Sequence, residues 1–285
     1  MTRKKQRYAG KKVNRGNPTN FSGQHLLHNK KLLNEIISQV NIANSDTVLE
    51  LGAGKGALTT LLNQRAAKVV AVEYDVRYVE ALKQKPLPNT TIIQQDILNL
   101  RFPKEKFIVV ASIPYSITTP IMKMLLNKPS SGFQRGVLVL EKGAAKRFTS
   151  DLVKDSYIAA WRMYFDISCV RGISRKNFSP PPRVDSAIMT INRKAVPIVP
   201  LKDYIAFYGL AEFVLKEPSL SLDTALRGVF TPPQIKHVKR TLGLQQDVPV
   251  AALSEIQWGV IYEAMVQHVP RFRWPKVKKE KLNHF

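Results

Sequence analysis

Between residues 47 and 148 short apolar runs alternate with segments of helical periodicity, and no other feature of the chain restricts its fold so tightly. Thr47–Leu51, Lys68–Glu73, Thr91–Gln95, Phe107–Ala111 and Gly136–Leu140 read as strands. Gly56–Arg65, Asp75–Gln84, Thr118–Leu126 and Gly143–Phe148 read as helices between and after them. A run as uniformly apolar as Phe107-Ile108-Val109-Val110 suits a strand buried on both faces. Such alternation predicts a mostly parallel sheet covered by helices on both sides. Ahead of it, Asn29 is placed to cap a helix over Lys30–Val40, whose Leu32, Leu33, Ile36, Ile37 and Val40 form one apolar face.

After Arg162 the rhythm changes. Trp161–Ile173 and Ser186–Arg193 read as two long strands with no helix between them, joined through the stiff Phe178-Ser179-Pro180-Pro181-Pro182. They are expected to add an antiparallel strand pair to the parallel sheet. Ala195–Pro200 reads as a linker. Beyond it the period is helical, over Tyr204–Leu215, Leu222–Val229, Pro233–Leu242 and Ser254–His268. The expected organisation is a basic flexible tail (1–20), an α/β domain (21–197), a small helical domain (198–270) and a second basic tail (271–285).

The formal net charge of +23 singles out a class of partner. Residues 1–16 carry seven Lys or Arg and no acid, and residues 271–281 carry six against Glu280. The two tails hold about half of the excess, so the folded body is basic as well. A body of that sign favours a polyanion, most simply nucleic acid. The single cysteine, Cys169, excludes an internal disulfide; set in an apolar stretch, it reads as a small buried hydrophobe. That usage suits a reducing cytoplasm. No stretch approaches the roughly 18 apolar residues that span a bilayer, and no apolar segment follows the basic N-terminus. A soluble, cytoplasmic chain with no membrane partner is expected.

In Glu50-Leu51-Gly52-Ala53-Gly54-Lys55-Gly56, Gly52 and Gly54 let backbone approach a ligand that a Cβ would exclude. Glu73 ends the next strand, where a carboxylate accepts both hydrogen bonds of a ribose diol. Asp96, after the third strand, is suited to an adenine amine, with Ile97 packed on the ring. The third glycine comes one residue early for a dinucleotide fingerprint. S-adenosylmethionine, with ribose and adenine but no phosphates, fits better, and its strongly electrophilic sulfonium needs no metal.

Ser112-Ile113-Pro114-Tyr115, at the end of the fourth strand, names the acceptor. An exocyclic amine on a nucleobase is a poor nucleophile, because its lone pair is delocalised into the ring. Positioning and fixed dipoles must draw it towards tetrahedral geometry. The Ser112 hydroxyl and the Ile113 carbonyl are placed to accept its two hydrogens, Pro114 fixes the turn, and Tyr115 offers a stacking face. A paired base has to flip out to reach them. Phe178 is either the second face of that sandwich or a core aromatic.

Taken in order, Asn20-Phe21-Ser22-Gly23-Gln24-His25-Leu26-Leu27, Glu50–Gly56, Glu73, Asp96-Ile97, Ser112–Tyr115 and Phe178–Pro182 resemble the Erm family of ribosomal RNA adenine N6-methyltransferases. That family lies within a wider group that includes the small-subunit rRNA dimethyladenosine transferases. The resemblance implies a Rossmann-like class I methyltransferase fold and mono- or dimethylation of one adenine in the peptidyl-transferase loop of 23S rRNA. It further implies unassembled or nascent RNA as the partner, a monomeric enzyme, and resistance to macrolides, lincosamides and streptogramin B. The family's cofactor contacts fall on His25, Leu27, Gly52, Glu73, Asp96 and Ser112, and its target-base contacts on Ser112, Ile113, Tyr115 and Phe178. Asparagine is common in the family where Ser112 and His25 stand. The rival readings are a small-subunit (16S) rRNA adenine dimethyltransferase and a non-catalytic, methyltransferase-like nucleic-acid-binding factor. Intact cofactor positions argue against the second.

Overall fold

A computed structural model describes residues 25–244 and 248–278. The N-terminal basic tail, the Asn20–Gln24 part of the first motif and the last residues of the C-terminal tail lie outside them. A two-residue strand, β1 (Leu26–Leu27), precedes helix α1 (Lys30–Ser38), which Asn29 caps by accepting from the Leu32 amide at 3.2 Å. The alternation follows as β2 (Thr47–Leu51), α2 (Ala57–Asn63), β3 (Lys68–Glu73), α3 (Val76–Lys83) and β4 (Thr90–Gln94). It continues as β5 (Phe107–Ser112), α4 (Thr118–Leu126), β6 (Phe133–Glu141) and α5 (Lys142–Thr149). Then come α6 (Ser156–Arg162), β7 (Phe165–Ile173), β8 (Phe178–Ser179) and β9 (Ser186–Arg193).

Seven of these strands form one sheet in the order β4-β3-β2-β5-β6-β9-β7. Pairing is parallel from β4 to β6, and β9 runs antiparallel to both β6 and β7. Side chains alternate between two cores, as the pleat requires. Val48, Ile108, Val110, Val137 and Val139 pack towards α1 and α2, whereas Leu49, Leu51, Val109, Ala111, Leu138 and Leu140 pack on the opposite face. The chain winds outward to β3 and β4 from one side of β2 and to β6 from the far side of β5. That reversal leaves a crevice at the carboxyl ends of β2 and β5, where open α/β sheets bind ligands.

Two expectations fail. Residues 156–162 form α6 instead of opening a strand at Trp161. Ile158, Ala159, Ala160 and Trp161 are all buried there, and an apolar run that short has no periodicity to separate helix from strand. Trp161 donates its indole N–H to the Asn127 Oδ1 at 2.8 Å, locking the helix against α4. Cys169 is exposed, not buried. It sits at a register shift in β7, the edge strand, where Ser168–Gly172 are all exposed.

The C-terminal helices are α7 (Tyr204–Val214), α8 (Leu222–Leu226), α9 (Pro232–Thr241) and α10 (Glu255–His268). Reciprocal side-chain caps open α9 (Thr231, Gln234) and α10 (Ser254, Gln257). Phe207 meets Trp258 and Tyr262 edge-on, with ring centroids 6.0 and 5.7 Å apart. One continuous apolar core runs from β5 and β6 through α6 into these helices. Among the described residues no helix is long and apolar enough to cross a membrane.

Candidate active site

A cavity of about 260 Å³ opens at the crevice. It is lined by every residue selected from the sequence: His25, Leu27, Gly52, Gly54, Glu73, Asp96, Ile97, Ser112, Ile113, Pro114, Tyr115 and Phe178. Its floor is the β2–α2 turn. Gly52 has φ +81°, and a Cβ there would stand 3.3 Å from the Ser112 carbonyl oxygen. At Gly54, with φ +53°, a Cβ would lie 2.8 Å from the Leu26 side chain. Both positions need glycine for conformation; at Gly52 a Cβ would also crowd backbone, whereas at Gly54 it would meet only the movable end of Leu26.

Glu73 is buried and does more than face a ligand. Its Oε2 accepts from the Gly54 amide at 2.7 Å, and its Oε1 from the Tyr74 and Asp75 amides, each at 2.9 Å. One carboxylate therefore ties the glycine turn to the β3–α3 turn, with lone pairs left over. Asp96 caps its own turn by accepting from the Leu98 amide at 2.9 Å, which seats Ile97 in the wall.

Ser112 ends β5 beside Val139, and the Ile113 amide still donates to the Val139 carbonyl at 3.1 Å. The chain is thus held to the sheet one residue past the strand before Pro114 turns it. The Tyr115 hydroxyl lies 2.6 Å from the Ser186 Oγ of β9. Burial holds the Tyr115 phenol above its ordinary pKa, only partly offset by that hydrogen bond, so the ring is neutral.

β1 and β8 form a two-residue antiparallel ladder that pairs Leu27 with Phe178. It brings the N-terminal motif and the proline-rich loop to the same wall. His25 Nδ1 is 2.8 Å from the Pro180 carbonyl, which assigns the ring proton to that nitrogen, and the imidazole centroid is 6.0 Å from that of Tyr115. Phe178 is only 3% exposed and packs in the same apolar cluster as Leu27, Leu33 and Ile36. It lines the cavity as well, so the core and cavity readings of this residue meet.

Three residues go unrecognised in the sequence. Glu50, fully buried at the end of β2, lines the cavity. Burial pushes its carboxyl up to about 7, and the neighbouring Glu73 adds to the shift. The Thr59 hydroxyl and amide favour the anion, but neither makes a hydrogen bond of proper geometry with either oxygen. A lone acid inside an apolar strand is the signal that points to it. Tyr74, next to Glu73, lines the mouth, and Ser186 holds Tyr115 from a strand 71 residues away, a contact that leaves no local trace.

The glycine cradle and the acids at two successive strand ends suit S-adenosylmethionine. Comparison with known proteins agrees. The model of the family "Ribosomal RNA adenine dimethylase" matches residues 16–267. The chain is 57% identical over 283 residues to an rRNA adenine N-6-methyltransferase of Bacillus licheniformis, covering 99% of each. It is 32% identical over 225 residues to ribosomal RNA small subunit methyltransferase A of Staphylococcus epidermidis, covering 73% of this chain and 75% of that one. The crystal structure of the 23S rRNA methyltransferase ErmE superposes with TM-score 0.76 at 26% identity, covering 85% of this chain and 99% of that one. With motif order, cavity and similarity in agreement along nearly the whole chain, it belongs to the ribosomal RNA adenine dimethylase family and uses S-adenosylmethionine as cofactor.

Proposed function

We propose that this chain methylates N6 of one adenine in the peptidyl-transferase loop of nascent 23S rRNA, as a cytoplasmic monomer, and so confers macrolide, lincosamide and streptogramin B resistance. The observation that carries the reaction class is the meeting of Glu73 and Asp96 with Ser112–Tyr115 in one cavity. The choice of 23S over small-subunit RNA rests on near-complete coverage at 57% identity against partial coverage at 32%, together with the likeness to ErmE. Residues 21–197 would form the catalytic unit and 198–270 a helical unit that contacts RNA.

In this reading the bound cofactor supplies a methyl group made electrophilic by a positively charged sulfur. Glu73, oriented by three amides, accepts from the ribose hydroxyls. Asp96 and Ile97 take the amine and the face of the cofactor's adenine. Gly52 and Gly54 admit the ligand against backbone, and His25 and Leu27 close the side walls. Ser112 Oγ and the Ile113 carbonyl accept the two hydrogens of the target amine, drawing its lone pair out of the ring plane. Tyr115 and Phe178 hold the extruded base between them. The Ser186 hydrogen bond fixes the tilt of Tyr115, so geometry is set before the base arrives.

Labelled methyl transfer to unmodified total rRNA, followed by primer extension, tests the proposal. A stop at a single adenine of the 23S peptidyl-transferase loop is expected. Label confined to 16S RNA would overturn the target, and absence of transfer would overturn the enzyme reading.

A further inference from the structure

Past α10 the chain is strapped back onto the C-terminal helices. Pro270 starts a tight turn over Arg271–Arg273, closed by the Arg273 amide on the Pro270 carbonyl at 2.9 Å. Trp274 donates its indole N–H to the Val269 carbonyl at 2.8 Å, and the Arg271 guanidinium lies 5.5 Å from its ring centroid. Farther on, Val277 packs against the main core. Gly209 of α7 makes room for the strap: a Cβ there would stand 2.5 Å from the Pro275 carbonyl oxygen.

At the tip of this anchored turn Phe272 is 82% exposed, the highest value for a large apolar side chain among the described residues. Arg271 and Arg273 flank it, Lys276 and Lys278 follow, and no acid occurs between 270 and 278. A loose tail would let such a ring collapse onto nearby apolar surface; here the backbone is fixed and the ring is held outward. An aromatic face ringed by cations matches an unpaired base between phosphates, and stacking of this kind tolerates any base. A protein partner would call for a wider apolar patch. None of the strap's residues lines the catalytic cavity.

We propose that Phe272 stacks on an unpaired base of the substrate RNA at a distance from the methylated adenine, with Arg271 and Arg273 on the flanking phosphates. The proposal rests on RNA being the substrate, but not on which rRNA is methylated. Binding of a short labelled oligouridylate, which contains no adenine, isolates it. Phe272→Ala is expected to weaken that binding roughly tenfold. It should also raise the KM for total rRNA by a similar factor, with kcat, cofactor affinity and melting temperature unchanged. Phe272→Trp should restore binding. Oligouridylate affinity equal to wild type in Phe272→Ala overturns the proposal. So does self-association of the wild type that Phe272→Ala abolishes while RNA affinity stays intact, since that makes the turn a protein contact. Label appearing in 16S RNA would defeat the 23S assignment and leave the Phe272 result standing.

Discussion

Ser112 has its backbone held to β6 through the strand register, and its carbonyl oxygen lies close to Gly52. The residue also lines the cavity. Ser112→Ala should therefore keep fold and backbone geometry while lowering single-turnover methyl transfer by about 10²–10³, the cost of one fixed transition-state hydrogen bond. Ser112→Asn, with a longer reach to the same proton, should keep or raise the rate. Transfer at the wild-type rate in Ser112→Ala would leave the Ile113 carbonyl as the sole acceptor. Glu50 makes a different kind of prediction. Its carboxyl is raised from an ordinary 4.5 to about 7, so the folded chain holds the proton more tightly than the unfolded chain. Stability from this group is intact below 4.5, falls as the unfolded chain ionises, and levels off above 7 with up to about 3 kcal/mol lost. In the cofactor-free protein the advantage of Glu50→Gln over wild type should grow between those values and then stay flat in denaturant titrations. A constant difference across that range would show that Glu50 is ionised in the fold. The glycines, Glu73 and the Ser112–Tyr115 turn are legible in the sequence because each motif is contiguous or tied to a strand end. Ser186 is not, since its contact with Tyr115 exists only after β9 docks on β6.

Elements divide along the same line. Thr47–Leu51, Lys68–Glu73, Thr118–Leu126 and Ser186–Arg193 have the boundaries read from their patterns. A strand buried on both faces is apolar throughout, and a helix carries its own period. α6 escapes such a reading because a short run of buried residues suits either state. β1 and β8, two residues each, are too short to have a pattern, although they join the N-terminal motif to Phe178. That ladder decides how Phe178 must be tested. Phe178→Ala would remove a core ring at about 3–5 kcal/mol and confound stability with activity. Phe178→Leu keeps an apolar side chain between Leu27 and Ile36. It should fold with normal cofactor affinity, yet lose roughly tenfold in single-turnover transfer through the missing stack. Transfer that falls only in step with the melting temperature would leave Phe178 a core residue alone.

At the scale of the whole molecule, charge governs how the chain meets its substrate. Residues 1–16 carry seven cations, no acid and few apolar side chains. The folded body is itself basic, so RNA binding without the tail should weaken but persist. Each phosphate contact made by the tail adds about 0.7–0.9 to the slope of log affinity against log salt. Deleting residues 1–16 should lower rRNA affinity most at low salt and flatten that slope by one or more such steps. Cofactor affinity and melting temperature should not move, because His25 and everything after it are retained. Affinity measured across a salt series for both forms decides the matter. A truncated chain that keeps the full-length slope would place every phosphate contact on the folded body and leave the tail a role in solubility alone.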